Sequence, residues 1–304
     1  LLNLYQALIE GNNRRIYTTL LSEYNKTPFD LQSNQSIMTV ALEFVNKPEV
    51  VKPIFDKIIT NKMSLDDCVY CAYRIYVKAK ADLELKKYDD ILQLFKDITL
   101  TKDNSYLFQS ILIATYIRTN NIIALEKLEN SQSLIVDKVD MQDFYAFTTK
   151  EFQLQNNHTL AKKYAHKLLQ FNKNTENIET AKANYIVGNY KKSEKILLNL
   201  IEEKNSINLI SLLAKNYFKI GDLNKATTTI AKLSEFKKPY EYGEIEYAFA
   251  SFYAVSNQNN LALDYLKKSI AKGNRVTLST FQNDSDFINL FADNRFEEIL
   301  TYWH

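Results

Sequence analysis

Apolar residues in "LLAKNYFKIGDLNKATTTIAKL", residues 212–233, and in the residues just before it follow two separate helical registers. Ile210, Leu213, Ala214 and Tyr217 recur at helical spacing, and Ala226, Ile230 and Leu233 do so after a break at "KIGDLNK". The pattern predicts two amphipathic helices joined by a short turn, with Gly221 supplying the backbone freedom the turn needs. The same grammar recurs along the chain. Gly188 precedes Ser193, Leu197 and Leu200; Asn257 precedes Ala262 and Leu266; Asn156 precedes Ala161, Ala165 and Leu168. Further back, Ile91, Phe95 and Ile98 follow "LKKYDD", Val51, Phe55 and Ile58 follow "NKPEV", and Ile16 and Leu20 follow Gly11.

The turns at 156, 188, 221 and 257 are separated by 32, 33 and 36 residues. A period of about 34 with small residues where the paired helices cross resembles the tetratricopeptide repeat family. Ala214, Tyr217, Gly221 and Ala226 match the family positions in one unit, and Ala250, Tyr253 and Ala262 in another. Large residues such as Ile91 and Val51 replace the small one in the N-terminal part, and the family's Trp at position 4 is missing, as Ile210 and Glu246 show. The resemblance implies an all-α fold: an α-solenoid, a right-handed superhelix of tetratricopeptide-like hairpins with a C-terminal capping segment. Residues 1–141 are expected to hold degenerate hairpins, 142–273 the better repeats and 274–304 the cap. One hairpin cannot bury its apolar face alone, so neighbours must stack.

The ending "FQNDSDFINLFADNRFEEILTYW" leaves the repeat pattern. Its Phe287, Leu290, Phe296, Ile299 and Leu300 form an apolar set suited to covering the last hairpin. The spacing D-x-D-F-x-x-L-x-x-D-x-R-F resembles the ending of tetratricopeptide arrays in bacterial multidomain signalling proteins.

Composition supports helices over sheets. Five Gly and four Pro in 304 residues are too few for the turns of a sandwich or barrel. A net charge of +2 gives no global field that would draw nucleic acid. The longest nearly unbroken apolar run, "LFQSILIATYI" at 107–117, is short of the roughly 18 residues of a membrane span. The first residues lack the basic region and cleavage site of a secretory signal. The chain opens on Leu1, which suggests a fragment of something longer. A cytoplasmic location is then favoured, with a periplasmic one if a membrane segment lies upstream.

Candidate chemistry is sparse. Cys68 and Cys71 form C-x-x-C inside an expected helix, where two small apolar residues on one face are the simpler account than a redox pair. His158, His166 and His304 have no paired spacing, so no metal site is expected. No two glycines lie close enough for a phosphate loop. Acidic pairs such as Asp89–Asp90 and Glu297–Glu298 fall at helix starts or on helical faces, where solvation accounts for them. The N-x-S/T matches at Asn25, Asn34, Asn157 and Asn283 are what an Asn-rich chain gives by chance. No enzyme and no cofactor are expected.

Binding is the better expectation. Carried over from the resemblance, groove position 9 is Lys150, Lys182 and Lys215, position 12 is Tyr185 and Phe218, and Lys219 stands at position 13. Three ammonium groups in a column beside aromatic faces suit an extended acidic peptide or a chain-terminal carboxylate. A lysine-rich chain also places three lysines in register by chance. The family's Lys–Asn carboxylate clamp is missing, because Asn216 and Asn184 fall at other positions. Aromatics crowd residues 236–253, where Tyr247 and Tyr253 fall on the core face and Tyr240 and Tyr242 could rim the groove. The reading is a non-catalytic protein- or peptide-binding scaffold. Its alternative is the sensory or regulatory segment of a larger bacterial signalling protein, a kinase or transcriptional activator. Self-association through terminal repeats is the further partner expectation.

Overall fold

A computed structural model describes residues 71–301 apart from 97, 136, 174, 237–242, 273–280 and 283. It also describes Asn3, Gln6, Ala7, Arg15, Thr18, Thr19, Ser22, Lys26 and Lys52. The expectations placed on Gly11, Ile16, Leu20, Val51, Phe55, Ile58, Cys68, Tyr240, Tyr242 and His304 lie outside the described residues. Every regular element among the described residues is helical. Contacts divide the chain into two units, one built mainly from residues up to Met141 and the other from Gln142 through the C-terminal segment.

The first unit contains α1 (Cys71–Glu84), α2 (Tyr88–Phe95), α3 (Lys102–Arg118) and α4 (Ile122–Ile135). A long helix, α5 (Lys138–Leu154), crosses the division. The second unit continues with α6 (His158–Phe171), α7 (Ile178–Val187), α8 (Tyr190–Glu203), α9 (Ile207–Ile220) and α10 (Leu223–Ala231). A 3-10 turn over Lys232–Glu235 follows, then α11 (Glu244–Val255) and α12 (Asn259–Ala271). A second 3-10 helix, Ser285–Leu290, leads into α13 (Asn294–Thr301).

One turn geometry serves both units. Lys86, Asn120, Asn156, Gly188, Gly221 and Asn257 each adopt a left-handed φ, between 55° and 92°. Their intervals are 34, 36, 32, 33 and 36 residues. In every case the next residue donates its N–H to the carbonyl five positions back from itself: Asp82, Tyr116, Phe152, Asn184, Tyr217 and Tyr253 accept at 2.7–3.0 Å. This six-to-one bond closes the helix end in a Schellman motif and reverses the chain into the partner helix. Side-chain caps open several of the helices that follow: Asn157, Asn177, Ser206 and Asp222 accept from the backbone three residues on.

Five residues past each turn lies the point where the paired helices cross. There Ile91, Leu125, Ala161, Ser193, Ala226 and Ala262 are all buried, none more than 1% exposed. The small residues belong to the second unit and the large ones to the first, as the sequence pattern anticipated for Ile91. Ser193 keeps its place because its hydroxyl donates to the Ala181 carbonyl on the opposing helix at 2.9 Å.

In the second unit each hairpin rests on the next. α6 packs on α7, α7 on α8, α8 on α9, α9 on α10 and α11, and α11 on α12. Ile210, Leu213, Ala214, Tyr217, Ala226, Ile230 and Leu233 belong to one continuous core that runs on to Phe249 and Phe252. Burial on this scale supplies the main stabilisation, at roughly 25 cal/mol per Å² of apolar surface.

The C-terminal segment closes the row. The Ser285–Leu290 turn packs on α11, and α13 packs on α12. Phe281, Phe287 and Leu290 are fully buried, with Phe296, Ile299 and Leu300 nearly so. Tyr247 stands edge to face with Phe287, their ring centroids 5.4 Å apart. Each member of the ending motif has a physical task. Asp293 caps α13 and chelates Arg295, whose guanidinium also reaches Asn260 Oδ1 at 2.9 Å. Asp284 and Asp286 point elsewhere.

Candidate functional site

A cavity of about 520 Å³ lies along the first helices of three consecutive hairpins, α5, α7 and α9. α5 contributes Asp143, Phe147 and Lys150, and α7 contributes Glu179, Lys182 and Tyr185. α9 adds Leu212 and Lys215, and one end is formed by Asp284, Ser285 and Asp286 of the C-terminal segment. Helical stacking explains the alignment. Lys150, Lys182 and Lys215 each stand six residues before a left-handed turn residue, so successive hairpins present them at equivalent places.

The three lysines differ in what surrounds them. Lys150 is exposed and forms no ion pair among the described residues. Lys182, with 47% of its side chain exposed, pairs at 2.8 Å with Glu179 one turn back on its own helix. Lys215 is largely buried, its side chain 11% exposed, and its ammonium is bound to the Asp286 carboxylate. It also donates to Ser251 Oγ at 3.0 Å, while Ser251 donates to the same Asp286 oxygen at 2.6 Å. Ser251 stands six residues before Asn257, so it is the next member of the lysine column.

Behind this clamp sits a second carboxylate. Tyr247 donates its hydroxyl to Asp284 Oδ2, and Asp284 Oδ1 accepts from the Asp286 N–H at 3.0 Å. Burial pushes the Asp284 carboxyl above its ordinary value, and the Asp286 charge adds to the rise against the pull of Lys215. Burial also raises Tyr247 well above the usual phenol range, with Asp284 next in effect. Tyr185 rises for the same first reason, and the Asp286 charge contributes. Tyr247 is thus held as a neutral donor to the Asp284 carboxylate.

Of the six residues expected in the groove, Lys150, Lys182, Tyr185 and Lys215 line this cavity. Phe218 and Lys219 are not among its lining residues. Phe218 is half-buried against the core with its ring 6.5 Å from Phe252, and Lys219 Nζ lies 5.9 Å from the Phe218 ring. Asn184 and Asn216 are fully buried and serve the scaffold: Asn184 donates to the Thr180 carbonyl at 2.8 Å and Asn216 to that of Tyr190 at 2.9 Å. Asp143, Glu179, Ser251, Asp284 and Asp286 entered no sequence expectation of the site. Ser251 was detectable by its place before the turn, and the two aspartates belong to the ending motif.

His158 and His166 are exposed on α6, away from the cavity lining. Among the described residues there is no group of three or more His, Cys, Asp or Glu side chains arranged to hold a metal ion. No helix among them is long and apolar enough to cross a membrane.

No protein-family model and no curated protein matches the sequence. Among solved structures, the chain is similar to a tetratricopeptide repeat protein from Parabacteroides merdae ATCC 43184. The two share 15% identity with a TM-score of 0.45, over 99% of this chain and 95% of that one.

Proposed function

We propose that the second unit is a non-catalytic peptide-binding module, whose cavity over α5, α7 and α9 holds a short, extended acidic segment of a partner protein. The observation that carries this reading is the gathering of Lys150, Lys182 and Tyr185 from successive hairpins at one cavity. Lys150 offers an ammonium with no ion pair among the described residues, and Lys182 is held only by a neighbour on its own exposed face. An exposed ion pair stabilises by roughly 0–1 kcal/mol, so two lysines acting together in a recess are needed for useful affinity. The apolar flank, Phe147, Ile186 and Leu212, lets the ligand's backbone and methylenes lie against a dry wall.

Fluorescence anisotropy with a labelled hexaglutamate peptide tests the reading. Reversing both charges in Lys150→Glu with Lys182→Glu is expected to weaken binding by about tenfold or more. Unchanged binding in the folded double variant rejects the site.

A second reading, a sensory segment of a larger bacterial signalling protein, is supported by the D-x-D-F-x-x-L-x-x-D-x-R-F ending. An effector domain encoded in frame upstream of Leu1 is its test, and a start codon at or just before Leu1 rejects it.

A further inference from the structure

The third member of the lysine column, Lys215, already has a partner within the chain. Lys215 is the least exposed of the three, and its ammonium already holds a carboxylate, that of Asp286, which lies 71 residues further along the chain. The clamp is complete: Ser251 from the adjoining hairpin holds the same oxygen at 2.6 Å, and Lys215 and Ser251 bond each other at 3.0 Å. The turn that carries Asp286 is anchored by the fully buried Phe287 and Leu290 and by the Tyr247–Asp284 hydrogen bond. It is therefore seated by core packing, and the ion pair is held at little additional entropic cost.

We infer that Asp286 is a built-in occupant of the groove: the C-terminal segment places its own carboxylate on Lys215 and so limits an incoming acidic chain to Lys150 and Lys182. This rests on the peptide-binding reading and adds a boundary to it. Asp284, Ser285 and Asp286 form one end of the cavity. A chain carrying a long acidic run meets a carboxylate already paired with Lys215 there instead of a free third ammonium, which favours short acidic stretches over long ones. Asp286 on Lys215 and Ser251 also shows, inside the molecule, how neighbouring column residues receive one carboxylate between them.

Three measurements on the full chain decide it. Lys215→Met with Asp286→Leu, which removes both charges of the pair at once, is expected to leave hexaglutamate affinity within about twofold of the parent, because that ammonium is already taken. A loss equal to that of Lys182→Met overturns the inference. Asp286→Asn keeps the shape and the Ser251 hydrogen bond, and it is expected to tighten hexaglutamate binding about threefold to fivefold. The gain should vanish in Lys215→Met with Asp286→Asn; unchanged affinity in Asp286→Asn also counts against the occupant. On the parent protein, lysine acetylation read by mass spectrometry needs no variant. Lys215 should react slowly with or without peptide while Lys150 and Lys182 become protected by it. Peptide-dependent protection of Lys215 would refute the proposal. Failure of the parent to bind hexaglutamate at all refutes the peptide-binding reading instead, so the two ideas fail in different ways.

Discussion

The Ser269 hydroxyl on α12 donates to the Gly243 carbonyl at the start of α11 at 2.7 Å, and the two backbones meet without a side chain between them. A methyl group built on Gly243 would lie 2.3 Å from the Ser269 carbonyl oxygen, and Gly243 has a φ of 78°. Position and conformation therefore both demand glycine here. At Gly188 and Gly221 only the left-handed φ does, because nothing lies within 4 Å of the missing methyl.

Glycine replacements should rank accordingly. Gly221→Ala is expected to cost about 1–2 kcal/mol from backbone strain. Gly221→Asn should cost less, since Asn120, Asn156 and Asn257 already hold that conformation. Gly243→Ala must move backbone as well, so its loss should exceed that of Gly221→Ala. Urea denaturation of the three variants checks the order, and an equal loss at 221 and 243 contradicts it.

The crossing column predicts opposite tolerances in the two units. Ala226→Leu forces bulk into a fully buried place between α9 and α10, with an expected loss of about 1–3 kcal/mol from overpacking. Leu125→Ala opens a cavity at the equivalent point of α4, with a loss of about 2–5 kcal/mol. Denaturant midpoints at constant slope are the measurement.

Gln132 on α4 is fully buried, and neither of its side-chain amide atoms has a hydrogen-bond partner among the described residues. Burying an unsatisfied polar group costs about 1–3 kcal/mol. Gln132→Met, close in volume, should raise the melting temperature by several degrees. A lower melting temperature would show that the amide is in use.

Asp284 has a carboxyl raised above its ordinary value by burial and by Asp286. The folded state then binds a proton more readily than the unfolded one, so this group favours folding at low pH. That contribution fades as the pH climbs from the ordinary carboxylate value of about 3.9 through the raised one. Asp284→Asn removes the titration. The melting temperature of the parent relative to Asp284→Asn should accordingly rise as the pH is lowered from about 7 towards about 4. A constant difference across that range would exclude the effect.

Much of this architecture was readable from residue order because it is built from local rules. Gly188 and Gly221 mark turns since glycine tolerates positive φ, and Ala226 or Ala262 mark crossings since two backbones approach there. The turn at Lys86 is marked by the run "LKKYDD" and the apolar spacing behind it and not by its residue type, since a lysine at φ 58° is held there by the six-to-one bond and the packing of its hairpin. The site was half visible for the same reason. Lys150, Lys182 and Lys215 share a place relative to their turns, which periodicity reveals. The contact of Asp286 with Lys215 spans 71 residues and depends on how the C-terminal segment folds back, which no local pattern encodes.

Seating Phe287 and Leu290 against the last hairpin also gives the row a polarity. Another hairpin, from this chain or a second copy, would find that apolar face already filled, and the outward surface beyond it carries Glu297, Glu298 and Arg295. Lengthening at that edge would first require evicting two buried side chains.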